Sequence, residues 1–335
     1  MRYPWQVSDW RRIGTERERL PNAWLLTGPA GIGKRAFAES LAVSLLCDEP
    51  GEDFVACGRC ESCRWFAAGN HPDYRCLTPD TDEDEAREGK EGKSVRKLPV
   101  IKIEAVREVI EFAHLTSHRS GRRVILVAPA ESLNPSAANA LLKILEEPPE
   151  GVLFLLVAYA PQRLLPTIRS RCRPFALTAP SRDEALAWLA GQGVANPAAE
   201  LAHHGGAPLF DHDPHLATVR KGFLEALANP SMTSVLGLAE LVEKNKLPLS
   251  VALEWLQKWL VDLASLSLAG SLRYHPDLEG VLVPLARRAD TARLMRCQDA
   301  LTALAPFGQH TLNIRLQLEA LLMEYLRVFA RANPG

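Results

Sequence analysis

Apolar residues in the first half of the chain form short continuous runs, separated by longer amphipathic segments. Three runs have the length and β-branched content of buried strands: residues 22–27, 124–127 and 152–157. Apolar positions at helical spacing predict helices over residues 1–18, 35–46 and 104–114. Trp5 and Trp10 would anchor the first of these helices. Strands that alternate with helices over short connections predict a parallel sheet with helices packed on it.

The clearest strand–helix–strand unit lies within residues 122–173. Asn134 and Pro135 are the residue types of a helix N-cap and a first helical position. One apolar face follows at spacings i, i+3, i+4 and i+7, formed by Ala138, Leu141, Leu142 and Leu145. The proline pair at 148 and 149 ends this helix, because proline cannot continue the backbone hydrogen bonds.

Beyond Pro174 the pattern becomes helical. Ser181 and Glu184 have the spacing of a capping box and predict a short helix with Trp188 and Leu189 on its apolar face. Amphipathic helices continue from about residue 221 onward. The last helix carries one apolar stripe: Leu318, Leu321, Leu322, Tyr325 and Phe329. A stripe of this kind usually packs into the core of its own domain.

Composition sets limits on the protein class. The chain has 335 residues, of which 47% are hydrophobic, so two or three domains are expected. Its net charge is −1, and this near-neutral balance predicts no strongly basic surface for DNA phosphates. Seven cysteines, four of them in one short region, argue against a disulfide framework. The N-terminus does not have the pattern of a secretory signal, and no apolar run reaches membrane-spanning length. We therefore expect a cytoplasmic protein without a membrane partner.

A glycine-rich segment joins the first predicted strand to the next helix. Gly28, Gly31 and Gly33 would let backbone N–H groups approach a phosphate, and Lys34 occupies the lysine position of a phosphate loop. The pattern fails at Arg35, where serine or threonine should bind magnesium, so no magnesium site is expected. Two interpretations fit these residues: a loop that still holds a nucleotide such as ATP, or a strand-to-helix turn that needs the glycines for its shape alone.

Four cysteines lie within seventeen residues: Cys47, Cys57, Cys60 and Cys63. Two overlapping C-x-x-C steps can supply thiolates in the tetrahedral arrangement that zinc requires. A redox pair and an iron–sulfur cluster are the alternatives, and the third and fourth cysteines argue against a simple redox pair. We interpret His71 as part of a structural turn and Cys76 as a free thiol. Residues 78–97 are rich in charge and predict a solvated loop.

Three segments together resemble the ATPase core of bacterial clamp loaders of the AAA+ class: residues 136–143, residues 145–149 and Ser170-Arg171-Cys172. The resemblance is strongest up to Cys172 and extends over the whole chain. It implies an α/β fold in which an AAA+ P-loop domain with a parallel sheet and a zinc module spans residues 1–178. A small helical lid over 179–220 and an all-α collar over 221–335 would follow. It also implies that the four cysteines hold a structural zinc ion.

Within this resemblance, the residues needed for hydrolysis are missing. An active ATPase of the class ends its central strand in Asp-Glu, which hold magnesium and polarise the attacking water. Ala128 and Pro129 stand at those positions here. Glu131 lies two residues too late to replace them, and the sensor position of the next strand is occupied by Ala158-Tyr159. We therefore expect no intrinsic ATPase activity.

The resemblance implies a place in the clamp loader of the DNA polymerase III holoenzyme, in complex with delta and gamma/tau subunits. That hetero-oligomer would load the sliding clamp onto primer–template DNA during replication. An ATP-hydrolysing, gamma/tau-like motor subunit is the alternative, and Ala128 and Pro129 argue against it. A stand-alone zinc-dependent DNA-binding protein is a third possibility, which the near-neutral charge does not favour.

The Ser170-Arg171-Cys172 segment implies a role in trans. In AAA+ rings its arginine projects into the ATP site of a neighbouring subunit, here a gamma/tau motor, and acts as an arginine finger. The alternative is a surface arginine that pairs with a local carboxylate. Arg169 and Arg173 are expected to share the strand direction of Arg171, so they are the residues most easily confused with it.

Overall fold

The computed structural model describes residues 3–16, 20–79, 100–118, 121–304 and 314–330. The chain divides into two units, one up to residue 184 and one from residue 185, and each is described by itself. The solvated loop predicted over residues 78–97 lies outside the described residues from position 80 onward.

A parallel sheet forms the centre of the first unit. Its strands, within the described residues, are β1 (Ala23–Thr27), β2 (Tyr74–Leu77), β3 (Arg123–Val127), β4 (Val152–Val157) and β5 (Arg173–Ala176). They lie in the order β2-β3-β4-β1-β5, and every neighbouring pair is parallel. The three strands predicted from apolar runs are confirmed. The periodicity did not predict β2 and β5, the two four-residue strands at the edges of the sheet.

The helices of the first unit cover both faces of the sheet. In chain order they are α1 (Val7–Thr15), α2 (Lys34–Leu46), α3 (Glu61–Ala67), α4 (Ile103–His114), α5 (Pro135–Glu146) and α6 (Pro166–Arg171), with α7 (Arg182–Gly191) crossing into the second unit. Val124 and Leu126 face the core layer that α1 and α2 share, whereas Ile125 and Val127 face α4 and α5. Burial on both sides explains why β4, and β3 after its first residue Arg123, are continuously apolar.

The capping residues act as the sequence predicts. The Asn134 side chain accepts a hydrogen bond from the Ala137 amide at 2.8 Å and so begins α5. Before α7, the Ser181 hydroxyl accepts from the Glu184 amide at 3.3 Å, and the Glu184 carboxylate accepts from the Ser181 amide at 2.8 Å. Three of the four predicted core positions of α5 are buried, and Leu142 is partly buried.

The second unit is helical. Its helices within the described residues are α8 (Pro197–His203), α9 (Pro214–Ala228), α10 (Met232–Lys244), α11 (Leu249–Leu268), α12 (Glu279–Arg288), α13 (Thr291–Leu304) and α14 (Ile314–Val328). The predicted stripe on α14 packs into the core that α9 to α14 share, with Phe329 partly buried just beyond the helix end. Within that core the Trp259 indole N–H donates to the Tyr325 hydroxyl at 2.9 Å, and that hydroxyl donates to the Leu227 carbonyl at 2.7 Å.

A separate small cluster of Ala185, Leu189 and Leu201 joins α7 to α8. The division of this region into a lid and a collar stays a prediction. None of the helices in the described part of the chain combines the length and the apolar character needed to cross a membrane.

Helix α1 is tied to the chain just beyond β5 by a buried carboxylate. Asp9 accepts hydrogen bonds from the Thr178 amide at 2.7 Å and from its hydroxyl at 3.1 Å. Arg12 lies 3.0 Å from the same carboxylate, donates to the Ala176 carbonyl at 2.6 Å and covers the Phe175 ring. These contacts fix the end of α1 against the edge strand.

We predict that Asp9→Ala destabilises the first unit by about 2–3 kcal/mol, because two hydrogen bonds to a buried carboxylate are lost and the Thr178 amide is left without its partner. Denaturant unfolding of the full chain, followed by tryptophan fluorescence, measures the change. Ser8→Ala, at an exposed position on the same helix, is the control and should unfold as the wild type does. Equal stability of Asp9→Ala and wild type would contradict the assignment.

Candidate functional site

The strand order brings three loops together at one edge of the sheet, the edge formed by the carboxyl ends of the strands. Strands β3, β4 and β1 are consecutive neighbours and parallel, so their carboxyl ends lie side by side. The glycine-rich loop follows β1, Ala128-Pro129 follows β3, and Ala158-Tyr159 follows β4. Open α/β sheets bind ligands at this edge. The phosphate loop and both positions expected to have lost catalytic residues therefore meet in one place.

The loop has the backbone of a phosphate loop. Gly28, Gly31 and Gly33 all have positive φ, at +138°, +65° and +85°. A Cβ atom at Gly33 would lie 2.3 Å from the Tyr3 ring, so a side chain has no room there. Gly33 is thus required both by the turn and by the close approach of the N-terminal segment.

That N-terminal segment lies directly on the loop. The Trp5 indole N–H donates to the Ile32 carbonyl at 3.0 Å. The Gln6 amide donates to the same carbonyl at 2.9 Å and to the Gly33 carbonyl at 3.1 Å. The Tyr3 ring stacks on the Trp5 ring, with 5.0 Å between the ring centroids. The sequence indicated Trp5 as a helix anchor and gave no signal for this contact, which joins positions 26 and 27 residues apart.

The side chain of Lys34 is turned into its own loop. Lys34 is only 1% exposed, and its Nζ donates to the carbonyls of Gly28 at 2.8 Å and Pro29 at 2.5 Å. The Tyr159 ring lies 4.4 Å from Nζ in a cation–π contact. Burial lowers the pKa of Lys34 to about 8, and the negative charge of Glu131 partly opposes the shift. The ammonium group therefore already has oxygen and π partners within the chain.

The remaining polar side chains at this edge are also engaged. Glu131 accepts hydrogen bonds through Oε1 from the Tyr159 amide at 2.9 Å and the Ala160 amide at 2.7 Å, so it holds the turn after β4. Its Oε2 is buried and has no hydrogen-bond partner within the described residues. Arg35, at the position of the magnesium ligand, pairs with Glu39 at 2.9 Å. This ion pair raises the pKa of Arg35 further above its ordinary value.

Arg171 lies elsewhere, at the C-terminal end of α6. Its guanidinium donates to the Thr167 carbonyl at 2.9 Å and forms an ion pair with Glu146, the last residue of α5. The Ser170 hydroxyl donates to the Thr167 carbonyl at 3.0 Å. Cys172 is buried, which raises the pKa of its thiol to about 12.

The prediction that Arg169, Arg171 and Arg173 share one strand direction is wrong. Arg169 and Arg171 belong to α6, where a separation of two residues turns them about 200° apart around the helix axis. Arg173 is the first residue of β5 and pairs with Glu16 at 2.8 Å. A six-residue helix is too short to show a period in the sequence, which explains the error.

Arg171 and the phosphate loop lie at opposite edges of the sheet, Arg171 at the edge formed by the amino ends of the strands and the loop at the edge formed by their carboxyl ends. Arg173 pairs in register with Trp24 at the start of β1, whereas Gly28 follows the end of that strand. Parallel strands rise about 3.3 Å per residue, so four steps separate Trp24 from Gly28 by about 13 Å. The structure thus brings Gly28, Gly31, Gly33 and Lys34 together, and places the Ser170-Arg171-Cys172 segment apart from them.

The four cysteines form one cluster. The sulfur atoms of Cys47, Cys57, Cys60 and Cys63 all lie within 4.8 Å of one another. The Cys47 and Cys60 sulfurs are 3.8 Å apart, the separation of about 3.8 Å expected for two thiolates bound to zinc at about 2.3 Å in a tetrahedron. Hydrogen bonds from backbone amides, chiefly that of Arg59, lower the pKa of Cys57 to about 6. The donor set and its spacing are compatible with a structural zinc site.

His71 supports this cluster from outside. Its Nδ1 accepts from the Asp73 amide at 3.0 Å, so Nε2 carries the proton and donates to the Ser62 hydroxyl at 2.8 Å. Ser62 in turn donates to the Leu46 carbonyl at 2.5 Å, directly before Cys47. Both ring nitrogens are engaged, which agrees with the interpretation of His71 as part of a turn. Cys76 is a free thiol in β2.

Comparison with known proteins agrees with this architecture. The family model described as DNA polymerase III, delta subunit, matches residues 6–181. A second model, described as DNA polymerase III, delta subunit, C terminal, matches residues 214–326. The two matches cover the sheet-containing unit and most of the helical unit.

Individual relatives agree with both models. The DNA polymerase III subunit delta' of Pseudomonas aeruginosa is 35% identical over 342 residues, covering 96% of this chain and 97% of its own length. The subunits of the same name from Escherichia coli and Yersinia pestis are 32% and 33% identical, covering 87% and 88% of this chain and 85% and 86% of their own lengths. The chain belongs to the DNA polymerase III delta-prime family.

Proposed function

We propose that this chain works in the clamp loader of DNA polymerase III as a subunit that does not hydrolyse ATP. It would assemble with delta and gamma/tau subunits, help to load the sliding clamp onto primer–template DNA, and supply Arg171 to the ATP site of a neighbouring gamma/tau motor. Family membership supports its place in the assembly. The observation that carries the role in trans is that Arg171 and the phosphate loop lie at opposite edges of the sheet.

The contacts of Lys34 support the lack of hydrolysis. A phosphate-loop lysine acts by offering its charge to the nucleotide, but Nζ here is buried against two carbonyls and the Tyr159 ring. Ala128 and Pro129 provide no carboxylate for magnesium or water, and Glu131 is held in the turn after β4 by two backbone amides that donate to its Oε1. These contacts also argue against the alternative of a gamma/tau-like motor, and against a bound nucleotide in this loop.

We further propose that Cys47, Cys57, Cys60 and Cys63 hold one structural zinc ion. Four thiolates would complete a tetrahedron and leave no open position for substrate or water, so the metal would stabilise the fold and take no part in catalysis. Cys60 also caps α3, since its sulfur accepts from the Cys63 amide. The ion would therefore fix α3 to the end of α2.

The zinc proposal predicts one metal ion per purified chain. Cys60→Ser should lose the metal and lower the melting temperature, because structural zinc contributes roughly 10–16 kcal/mol of folding free energy in small modules. Elemental analysis and thermal unfolding measure both effects. Cys76→Ser, which alters a thiol outside the cluster, should keep its zinc. A metal-free wild-type protein that is as stable as the zinc-loaded form would refute the proposal.

The purified chain should show no magnesium-dependent ATP hydrolysis above background. Arg35→Thr restores the hydroxyl of the phosphate-loop pattern and should still be inactive, because the acids expected at positions 128 and 129 are missing. Phosphate release is the measurement. Turnover by the wild-type chain that disappears in Lys34→Ala would show that the loop is catalytic after all.

A reconstituted clamp loader that contains Arg171→Ala should hydrolyse ATP and load clamps more slowly than the wild-type assembly. Arginine fingers supplied in trans are worth on the order of 10³–10⁵ in rate, but only one of the motor sites would lose its finger, so the fall for the whole assembly should be smaller. Arg169→Ala is the control, since Arg169 is exposed on the same helix and points away from Arg171. Wild-type turnover from an intact Arg171→Ala assembly, verified by gel filtration, would sink the idea.

A further inference from the structure

We propose that Glu146 is a positioning residue for Arg171. The Glu146 carboxylate binds Nη2 of the Arg171 guanidinium and so fixes the direction in which the other N–H groups of that guanidinium point. This inference rests on the proposed role of Arg171 in trans. Glu146 itself would not touch the nucleotide.

Both side chains are carried by helix ends that the core holds in place. Glu146 ends α5 directly after the buried Ile144 and Leu145, and Arg171 ends α6 one turn after Ile168. Ile144 and Ile168 belong to the same core layer under the sheet. The ion pair therefore joins two helix ends that the core holds in place, and both helices together define the position of the guanidinium.

The guanidinium keeps unused donors. An arginine has five N–H groups in a fixed plane. Nη1 donates to the Thr167 carbonyl at 2.9 Å and lies 3.5 Å from the Ser170 hydroxyl, while Nη2 forms the ion pair with Glu146. Within the described part of the chain, Nε has no partner. The side chain of Arg171 is 32% exposed, so its free N–H groups are open to a phosphate oxygen of a nucleotide bound to a neighbouring subunit.

The strength of the pair suits a positioning role. Glu146 is 48% exposed, and solvent weakens an ion pair at such a position. Holding a free arginine side chain in one rotamer costs conformational entropy, so even a weak ion pair offsets part of that cost before the neighbour docks. The pair is also weak enough for the guanidinium to adjust to a charged phosphate.

The test uses a reconstituted clamp loader in which each gamma/tau motor has alanine in place of the arginine of its own Ser-Arg-Cys segment. Turnover then reports the one site that Arg171 serves. Glu146→Ala should lower the DNA- and clamp-stimulated kcat about two- to fivefold with little change in the KM for ATP. Glu146→Gln, which keeps an acceptor oxygen, should restore part of the loss. Glu147→Ala is the matched control, because its carboxylate is exposed and has no ion pair within the described residues.

A double variant shows whether Glu146 acts through Arg171. In the Arg171→Ala background, Glu146→Ala should cause no further loss of kcat. A further loss there, a wild-type kcat for Glu146→Ala alone, or a raised kcat would each overturn the inference. If Arg171→Ala itself leaves turnover unchanged, the proposed role in trans fails and this inference fails with it. A slow Arg171→Ala beside a normal Glu146→Ala refutes the positioning role alone.

Discussion

A buried ammonium group needs acceptors, and Lys34 finds them inside its own loop. Two loop carbonyls and the Tyr159 ring surround Nζ, while Trp5 and Gln6 donate to two carbonyls further along the loop, those of Ile32 and Gly33. In a working phosphate loop a nucleotide would compensate the lysine charge, and here the protein does so. The glycines keep the phosphate-loop backbone, and side chains of the chain itself donate to four of its carbonyls.

The sheet separates the two groups of candidate functional residues onto opposite edges. Because all its strands are parallel, one edge collects the loops after β1, β3 and β4, and the other collects the segments that enter the strands. Arg171 lies at the entering edge, at the end of α6, together with Glu146. In the proposed function, the residues at the first edge and Arg171 at the second are therefore separate in the structure, so a subunit that does not hydrolyse ATP could still serve a neighbour.

The features that the sequence predicted are those with a strong local signal. In the unit β3–α5–β4, apolar residues recur at helical spacing over several turns, an asparagine caps the helix and prolines end it. All three features act as expected. The cysteine cluster follows from short spacing alone. The edge strands β2 and β5 have four residues each, and Pro174 lies in β5, so no period marked them; an edge strand tolerates the proline.

Contacts between distant residues were outside the reach of periodicity. The contact of the N-terminal segment with the phosphate loop and the ion pair of Glu146 with Arg171 join residues more than twenty positions apart. The central claim is that the contacts of Lys34 within its own loop exclude a nucleotide. Equilibrium titration of ATP into the purified, zinc-loaded chain tests this claim directly. We predict no saturable binding, with or without magnesium. Saturable binding that Lys34→Ala abolishes would contradict the account.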